Sequence, residues 1–175
     1  MAENLKTTKY IPLVSDSTEW RNLLSPGYCW YDNDIANKDE YGALYNWYAV
    51  DASDLCPIGW HVPTYDEWEL LVSHLGGKDV AGGKLKETGT RHWESPNTGA
   101  TNESGFTALP SGTRGSFDAI GIFVGLGTCS FWWSSTYISG PAAYADDRSI
   151  IYSSSKLFSA DEDRRYGNSV RCVKN

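Results

Sequence analysis

Cysteine, histidine and acidic side chains are the parts of this chain that could do chemistry, and their spacing narrows which chemistry. Cys29, Cys56, Cys129 and Cys172 contain no CxxC among them, so neither a zinc ribbon nor a thioredoxin-like dithiol is encoded. Two disulfides, one disulfide with two thiols, or four thiols all remain open, and four cysteines admit three full pairings. His61, His74 and His92 show neither HxH nor HExxH spacing. No GxSxG, P-loop or dinucleotide glycine pattern occurs either. Asp161, Glu162 and Asp163 stand together as a solvated turn does, rather than as a glycosidase pair. Calcium needs six or more oxygens at close range; Asp32, Asp34 and Asn102 offer at most a fortuitous loop site. No cofactor, no metal and no catalysis are expected.

Binding chemistry is a different matter. The stretch "DRSIIYSSSKLFSADEDRRYG" (147–167) is rich in Ser and Asp, yet Ile150, Ile151, Tyr152, Leu157 and Phe158 interrupt it. Linkers do not usually carry that much apolar surface. If the segment alternates as strands do, Ala143, Ala145, Ile150 and Leu157 face inward. Tyr144, Ile151, Tyr152 and Phe158 would then form an exposed patch of the kind that binds. Tyr with Ser and Gly is the residue mixture of paratopes, where rings supply contact area at low entropy cost.

The elements that must position these residues are unevenly legible. "PTYDEWELLVSHLGG" (63–77) opens with Thr64 and carries Glu67 three residues on, which is a capping box. Trp68, Leu71, Val72 and Leu75 then recur at helical spacing, and Gly76-Gly77 closes the run. A second, shorter helix is expected around Ala81 to Lys86, although two glycines weaken it. "GYCWYDND" (27–34) reads as a short strand and turn, and "YGALYNWYAV" (41–50) as a short helix or strand. Residues 92–117 read as loop with isolated aromatic plugs. "FWWSST" (131–136), "AYADDRSIIY" (143–152) and "NSVRCVKN" (168–175) read as strands. The order implies an α+β fold, one or two helices packed on a small twisted antiparallel sheet with long irregular loops.

Composition bounds the rest. A chain of 175 residues fits one domain with a real core, here residues 11–175 behind a tether at 1–10. Aromatic residues reach 14%, with 8 Trp and 17 Gly, a mixture that packs flat rings between turns. A formal net charge of −7 argues against nucleic acid and against an anionic membrane surface. No apolar run approaches the roughly 18 residues that span a bilayer, and "MAENLKTTKYIPLV" lacks the apolar stretch of a signal peptide.

Four segments, "LCPIGWHVPTYDEWELL", "ATNESGFTALPSGTR", "FWWSST" and "YGNSVRCVKN", stand in one order along one chain. Together with "TEWRNLLSPGYCWYDND", they resemble the Fibrobacter succinogenes major paralogous domain, a family with a C-type-lectin-like fold. The resemblance implies a compact domain whose ends lie close together, with Trp60, Trp68, Trp132 and Trp133 as buried framework. His61, inside one of these motifs, is expected buried and hydrogen-bonded. Cys56 and Cys172 fall inside family motifs, so the resemblance implies a disulfide between them. A second bridge, Cys29 to Cys129, stays open. "ESPN" (94–97) departs from the Glu-Pro-Asn tripeptide of calcium-dependent lectins, and no Trp-Asn-Asp follows. A formylglycine-generating cysteine oxidase shares the general fold but needs a reactive thiol.

The family is related in fold to the variable proteins of diversity-generating retroelements, which randomise template adenines so that AAY codons become NNY. Tyr137, Ile138, Ser139, Tyr144, Asp146, Asp147, Ser149, Ile151, Ser153, Phe158, Ser159, Asp161 and Asp163 are all encodable by NNY, whereas Lys156 and Glu162 are not. The resemblance thus implies a ligand-binding, receptor-recognition module with a variable region at 137–165. Its partner would be a protein or glycan on a cell surface, and its place extracellular, on a cell surface or virion. A structural cell-surface or virion domain with no diversified site is the alternative.

Overall fold

The computed structural model describes residues 10–52, 55–116, 119–138 and 144–175. The expected tether at 1–10 therefore lies, but for Tyr10, outside the described residues, as do Ser139 and Ala143. In chain order come α1 (Ser17–Asn22), β1 (Tyr28–Cys29), two 3-10 turns, α2 (Lys38–Tyr41), β2 (Leu44–Tyr45), α3 (Trp47–Asp51) and β3 (Trp60–His61). Then follow α4 (Tyr65–His74), α5 (Lys78–Leu85), β4 (Ser111–Ser116), β5 (Ala119–Leu126), β6 (Cys129–Tyr137), β7 (Tyr144–Ile151), β8 (Phe158–Asp163) and β9 (Val173–Lys174). The fold is α+β, with few helices and a five-stranded sheet ordered β5-β4-β6-β7-β8 beside two small ribbons, β1-β2 and β3-β9.

α4 forms where the capping box sits. Thr64 Oγ1 accepts from the Glu67 amide at 3.2 Å, and the Thr64 amide donates back to Glu67 Oε2 at 2.9 Å; such a cap contributes about 1 kcal/mol. The face of α4 that carries Trp68 and Val72 meets Trp132 and Ile150 of the sheet. α5 also forms, and its glycines have a use. Gly82 and Gly83 let its backbone lie against Lys156 and Gly99, where a side chain would collide with main chain.

Trp132 and Trp133 are neighbours on β6 and so point to opposite faces. Each plugs a different core: Trp132 packs with Trp68, Trp93 and Leu85, and Trp133 with Trp47, Val50 and Val62. A third cluster gathers Val14, Trp20, Cys29, Tyr31 and Leu44. Trp60 is different. At 45% exposure on the narrow β3-β9 ribbon, it is not the buried framework residue expected.

The sheet is mixed rather than antiparallel, because β4 runs parallel to β6 at Gly112 and Ser130. β4 also corrects the reading of 92–117 as loop throughout. Its sequence SGTRGS holds no apolar residue, yet five of its six positions are buried. Arg114 explains how: its guanidinium donates to the carbonyls of Val14, Ser15 and Gly121. It also stacks 4.5 Å from the Trp20 ring and 4.8 Å from that of Phe123. A buried cation with its donors satisfied substitutes for an apolar side chain there.

Lys86 pins the remaining irregular chain in the same way. Its Nζ donates to the carbonyls of Thr98 (2.8 Å), Ser154 (2.9 Å) and Ile151 (3.2 Å), tying α5 to two loops. Burial pulls this ammonium down to about 8. The turn between β7 and β8 is anchored further by Leu157 N to Lys78 O and Tyr152 N to Thr128 O, both 2.8 Å. The Ser-rich stretch is thus built into the fold.

Cys56 and Cys172 form the disulfide that the resemblance implied. It closes a loop spanning 116 residues, which contributes about 4–5 kcal/mol in the chain-entropy picture. Cys29 and Cys129 are free. Among the described residues no helix is long and apolar enough to cross a membrane.

Candidate functional site

The register of β6, β7 and β8 decides where each candidate side chain points. Trp132 faces Arg148 and Trp133 faces Asp147 on one side of β7. On the other side Asp146 faces Asp161, Asp147 faces Ala160, Arg148 faces Ser159 and Ser149 faces Phe158. Directly opposed residues share a face and alternate residues share a face. Tyr144, Asp146, Arg148, Ser159, Asp161 and Asp163 therefore lie on the face covered by α4. Tyr137, Asp147, Ser149, Ile151 and Phe158 lie on the other. The expected single patch of Tyr144, Ile151, Tyr152 and Phe158 is divided by this alternation, and Tyr152 packs against the Trp68 cluster.

On the first face Arg148 is the hub. It is buried, and its Nη1 donates to Asp146 Oδ1 (2.6 Å), the Asp147 carbonyl (2.8 Å) and Ser159 Oγ (3.0 Å). Its Nη2 reaches Glu69 Oε1 on α4 at 3.1 Å, and its guanidinium stacks 4.7 Å from the Tyr65 ring. Asp146 is the anion that balances it. Burial raises the Asp146 pKa, and the Arg148 hydrogen bond and charge pull against that rise. Asp146 is thus a frame residue, not a contact residue.

Asp147 and Ser149 are corrected likewise, since both are buried. Burial, then the charges of Glu162 and Asp146, lifts the Asp147 carboxyl well above its ordinary value. Ala145, Ile150 and Leu157 are buried as expected, but Ala145 lies in the Trp133 cluster and Ile150 in the Trp68 cluster, on opposite faces of β7. Of the other candidates, Ile138 and Ile151 are half-buried, and Ser153, Ser159 and Asp161 are exposed. Asp163 is gripped by Arg165, which donates Nε to Oδ1 at 2.9 Å and Nη2 to Oδ2 at 2.6 Å. Burial raises the Asp163 pKa, but these bonds outweigh it and the net shift is downward.

What remains at the surface is a rim: Tyr137 at 49%, Tyr144 at 43% and Phe158 at 38% exposure, with Ser153, Ser159 and Asp161. Tyr137 is steadied from behind by Arg164, whose guanidinium lies 4.5 Å from the Trp47 and Tyr48 rings and 5.5 Å from Tyr137. Arg148 and Arg164 are the positioning residues that sequence reasoning missed. The available signal was an Arg within or beside a strand, flanked by acids and by a surplus of rings.

The remaining chemical groups are engaged locally. His61 is hydrogen-bonded through both ring nitrogens, to Asn175 (2.6 Å) and Glu67 (2.7 Å), but it is part-exposed rather than buried. Burial pushes the Cys29 thiol up to about 11 and also raises that of Cys129. Asp34 caps a 3-10 turn through the Ala36 amide, and Asn102 bonds Thr107. Among the described residues no group of three or more His, Cys, Asp or Glu side chains is arranged to hold a metal ion.

Residues 1–174 match the family model of the Fibrobacter succinogenes major domain. No curated protein and no solved structure matches the chain significantly.

Proposed function

The chain belongs to the Fibrobacter succinogenes major domain family, and from that premise we propose that it is a ligand-binding module built on a rigid, C-type-lectin-like scaffold. The observation that carries the reading is the contrast across one ladder. β7 is buried at six successive positions, Ala145 to Ile150, while β8 beside it is exposed at Phe158, Ser159, Ala160 and Asp161. A frame that cannot yield thus holds a rim that can change. The rim offers rings for contact area and short polar groups for hydrogen bonding, the combination that suits recognition of a protein or glycan on a cell surface. A long-range disulfide fits a place outside the reducing cytosol, on a cell surface or virion. The reading includes no reaction, and two thiols whose pKa values burial raises make poor nucleophiles.

If the rim is diversified, independent copies of the gene will differ at Tyr137, Tyr144, Ser153, Phe158, Ser159 and Asp161. They will agree at Asp146, Asp147, Arg148 and Ser149. Sequencing such copies tests this directly. Variation spread evenly over buried and exposed positions would sink the diversified-surface reading.

A further inference from the structure

We propose that the sheet face carrying Phe131 holds a pocket for a primary alkylammonium group, the end of a lysine side chain presented by a partner protein. The proposal deepens the binding reading and rests on it only for the source of the lysine.

A cavity of about 210 Å³ opens on this face, walled by Thr113, Val124, Phe131 and Tyr166 and carrying the Glu162 carboxyl. Gly115, at φ 145°, has no side chain to hold off Tyr166; a Cβ there would stand 2.6 Å from the ring. The tyrosine ring accordingly lies against β4. Phe131 faces Ser149, Asp147 faces Ala160, and Ala145 faces Glu162. Asp147 therefore shares the face and sits on β7 between Phe131 of β6 and Glu162 of β8. It is fully buried and not among the residues that line the cavity; one carboxyl oxygen meets Asn168 Nδ2 at 3.4 Å, and the other makes no hydrogen bond of ordinary geometry with a described residue.

The Glu162 carboxyl makes no hydrogen bond or ion pair with any described residue. Burial, then the charges of Asp163 and Asp161, raises its pKa. An acid so placed calls for a cation, and the nearby cations are committed elsewhere. Arg148 is paired with Asp146, Arg165 with Asp163, and Arg114 with three carbonyls. Arg164 is stacked on Trp47 and Tyr48 and reaches Asp51 at 3.8 Å, although its Nε makes no hydrogen bond with a described residue.

The walls then select among cations. Two rings and a valine suit an alkyl stem and favour a cation over their faces. The side chains lining the cavity fall short of the six or more close oxygens that calcium or magnesium needs. The volume falls below the roughly 300–1,000 Å³ of small-molecule sites, so the pocket admits one side chain and not an oligosaccharide. An ammonium, with three donors, can pair with the Glu162 carboxyl at the cavity wall.

The test is a titration of the isotope-labelled protein with n-butylammonium chloride at constant ionic strength, read by amide chemical shifts. Saturable shifts are expected at Gly115, Phe131 and Glu162, with a Kd on the order of a millimolar for so few atoms. n-Butanol, equal in length but neutral, should bind at least about tenfold more weakly, as should the ammonium to Glu162→Gln. Nα-acetyl-lysine amide should reproduce the shifts and its Nε-acetylated form should not. Absence of saturation, equal affinity for the alcohol, or undiminished binding to Glu162→Gln overturns the proposal. The amine–alcohol comparison uses the native protein, so it decides even if the variant folds poorly. A silent pocket alongside gene copies that vary at the rim would remove the lysine site and leave the binding module. A saturable pocket alongside evenly spread variation would do the reverse.

Discussion

β7 and β8 run side by side through six register pairs, and their compositions are close: YADDRSII against FSADED. Their surroundings are opposite. β7 has β6 on one side and β8 on the other, with α4 above and the Trp133 cluster below. β8 is an edge, paired on one side only. Ser and Asp are tolerated on β7 because a network receives them: Arg148 binds Asp146, Ser159 and Glu69 at once. On β8 the same residue types are exposed at Ser159 and Asp161, and the acids of this edge strand also discourage edge-to-edge pairing with another chain. Position in the sheet, rather than composition, separates frame from rim. Within the frame, Arg148 holds Asp146 and Ser159 by hydrogen bonds, so breaking that network is costly, while a change at a rim side chain outside the network is nearly free.

Breaking the hub should have the largest effect. Arg148→Met keeps the apolar stem but leaves Asp146, the Asp147 carbonyl and Ser159 without their donor. Removing one partner of a buried pair costs about 3–5 kcal/mol, and a denaturant midpoint would register it. A loss under about 1 kcal/mol would mean that apolar packing, not the network, holds β7.

A smaller effect, of opposite sign, is expected at Asp147. Its carboxyl pKa is raised on folding, so its proton is held more tightly in the folded chain than in the unfolded one. The stability it contributes is full below the ordinary carboxyl value of 3.8 and is lost as pH rises through the folded value. Asp147→Asn has no charge to bury, so it should melt higher than the native protein at neutral pH, by roughly 2–4 °C. The gap should close as pH falls toward 4. Equal melting at both pH values would mean that Asp147 is not shielded.

These two residues also mark where sequence reading stopped. Thr64 and Glu67 made the start of α4 legible because a capping box is local, complete within four residues. Ala145 and Ile150 are buried as expected, but on opposite faces of β7, because that strand is covered on both. Asp146, Asp147 and Ser149 were read as surface because charged and hydroxyl residues are usually found there. Asp146 is balanced by Arg148 two residues on, but that pair is buried only where Glu69 of α4 covers it, and Asp147 meets Asn168, 21 residues away; no spacing rule reports that cover. β4 failed for the same reason, since Arg114 is satisfied by carbonyls of Val14 and Ser15, about a hundred residues away. The Cys56–Cys172 pairing was legible only through family resemblance, because four cysteines by themselves leave every pairing open.

The smallest effect sharpens the comparison most. Asp161 on β8 and Ser153 in the preceding turn are exposed, and neither makes a side-chain hydrogen bond to a described residue. Asp161→Ser and Ser153→Asn should each shift the unfolding free energy by less than about 0.5 kcal/mol. Ser159→Ala should cost more, about 1 kcal/mol, although Ser159 is just as exposed. Its hydroxyl reaches through the ladder to Arg148 at 3.0 Å and Asp146 at 3.3 Å, and a charge-assisted bond is lost with it. Chemical denaturation of the three variants gives the ranking. If Ser159→Ala proved as silent as Asp161→Ser, the boundary between frame and rim would follow exposure alone. If it proved costlier, the boundary runs through β8 itself, at the side chain that Arg148 holds from beneath.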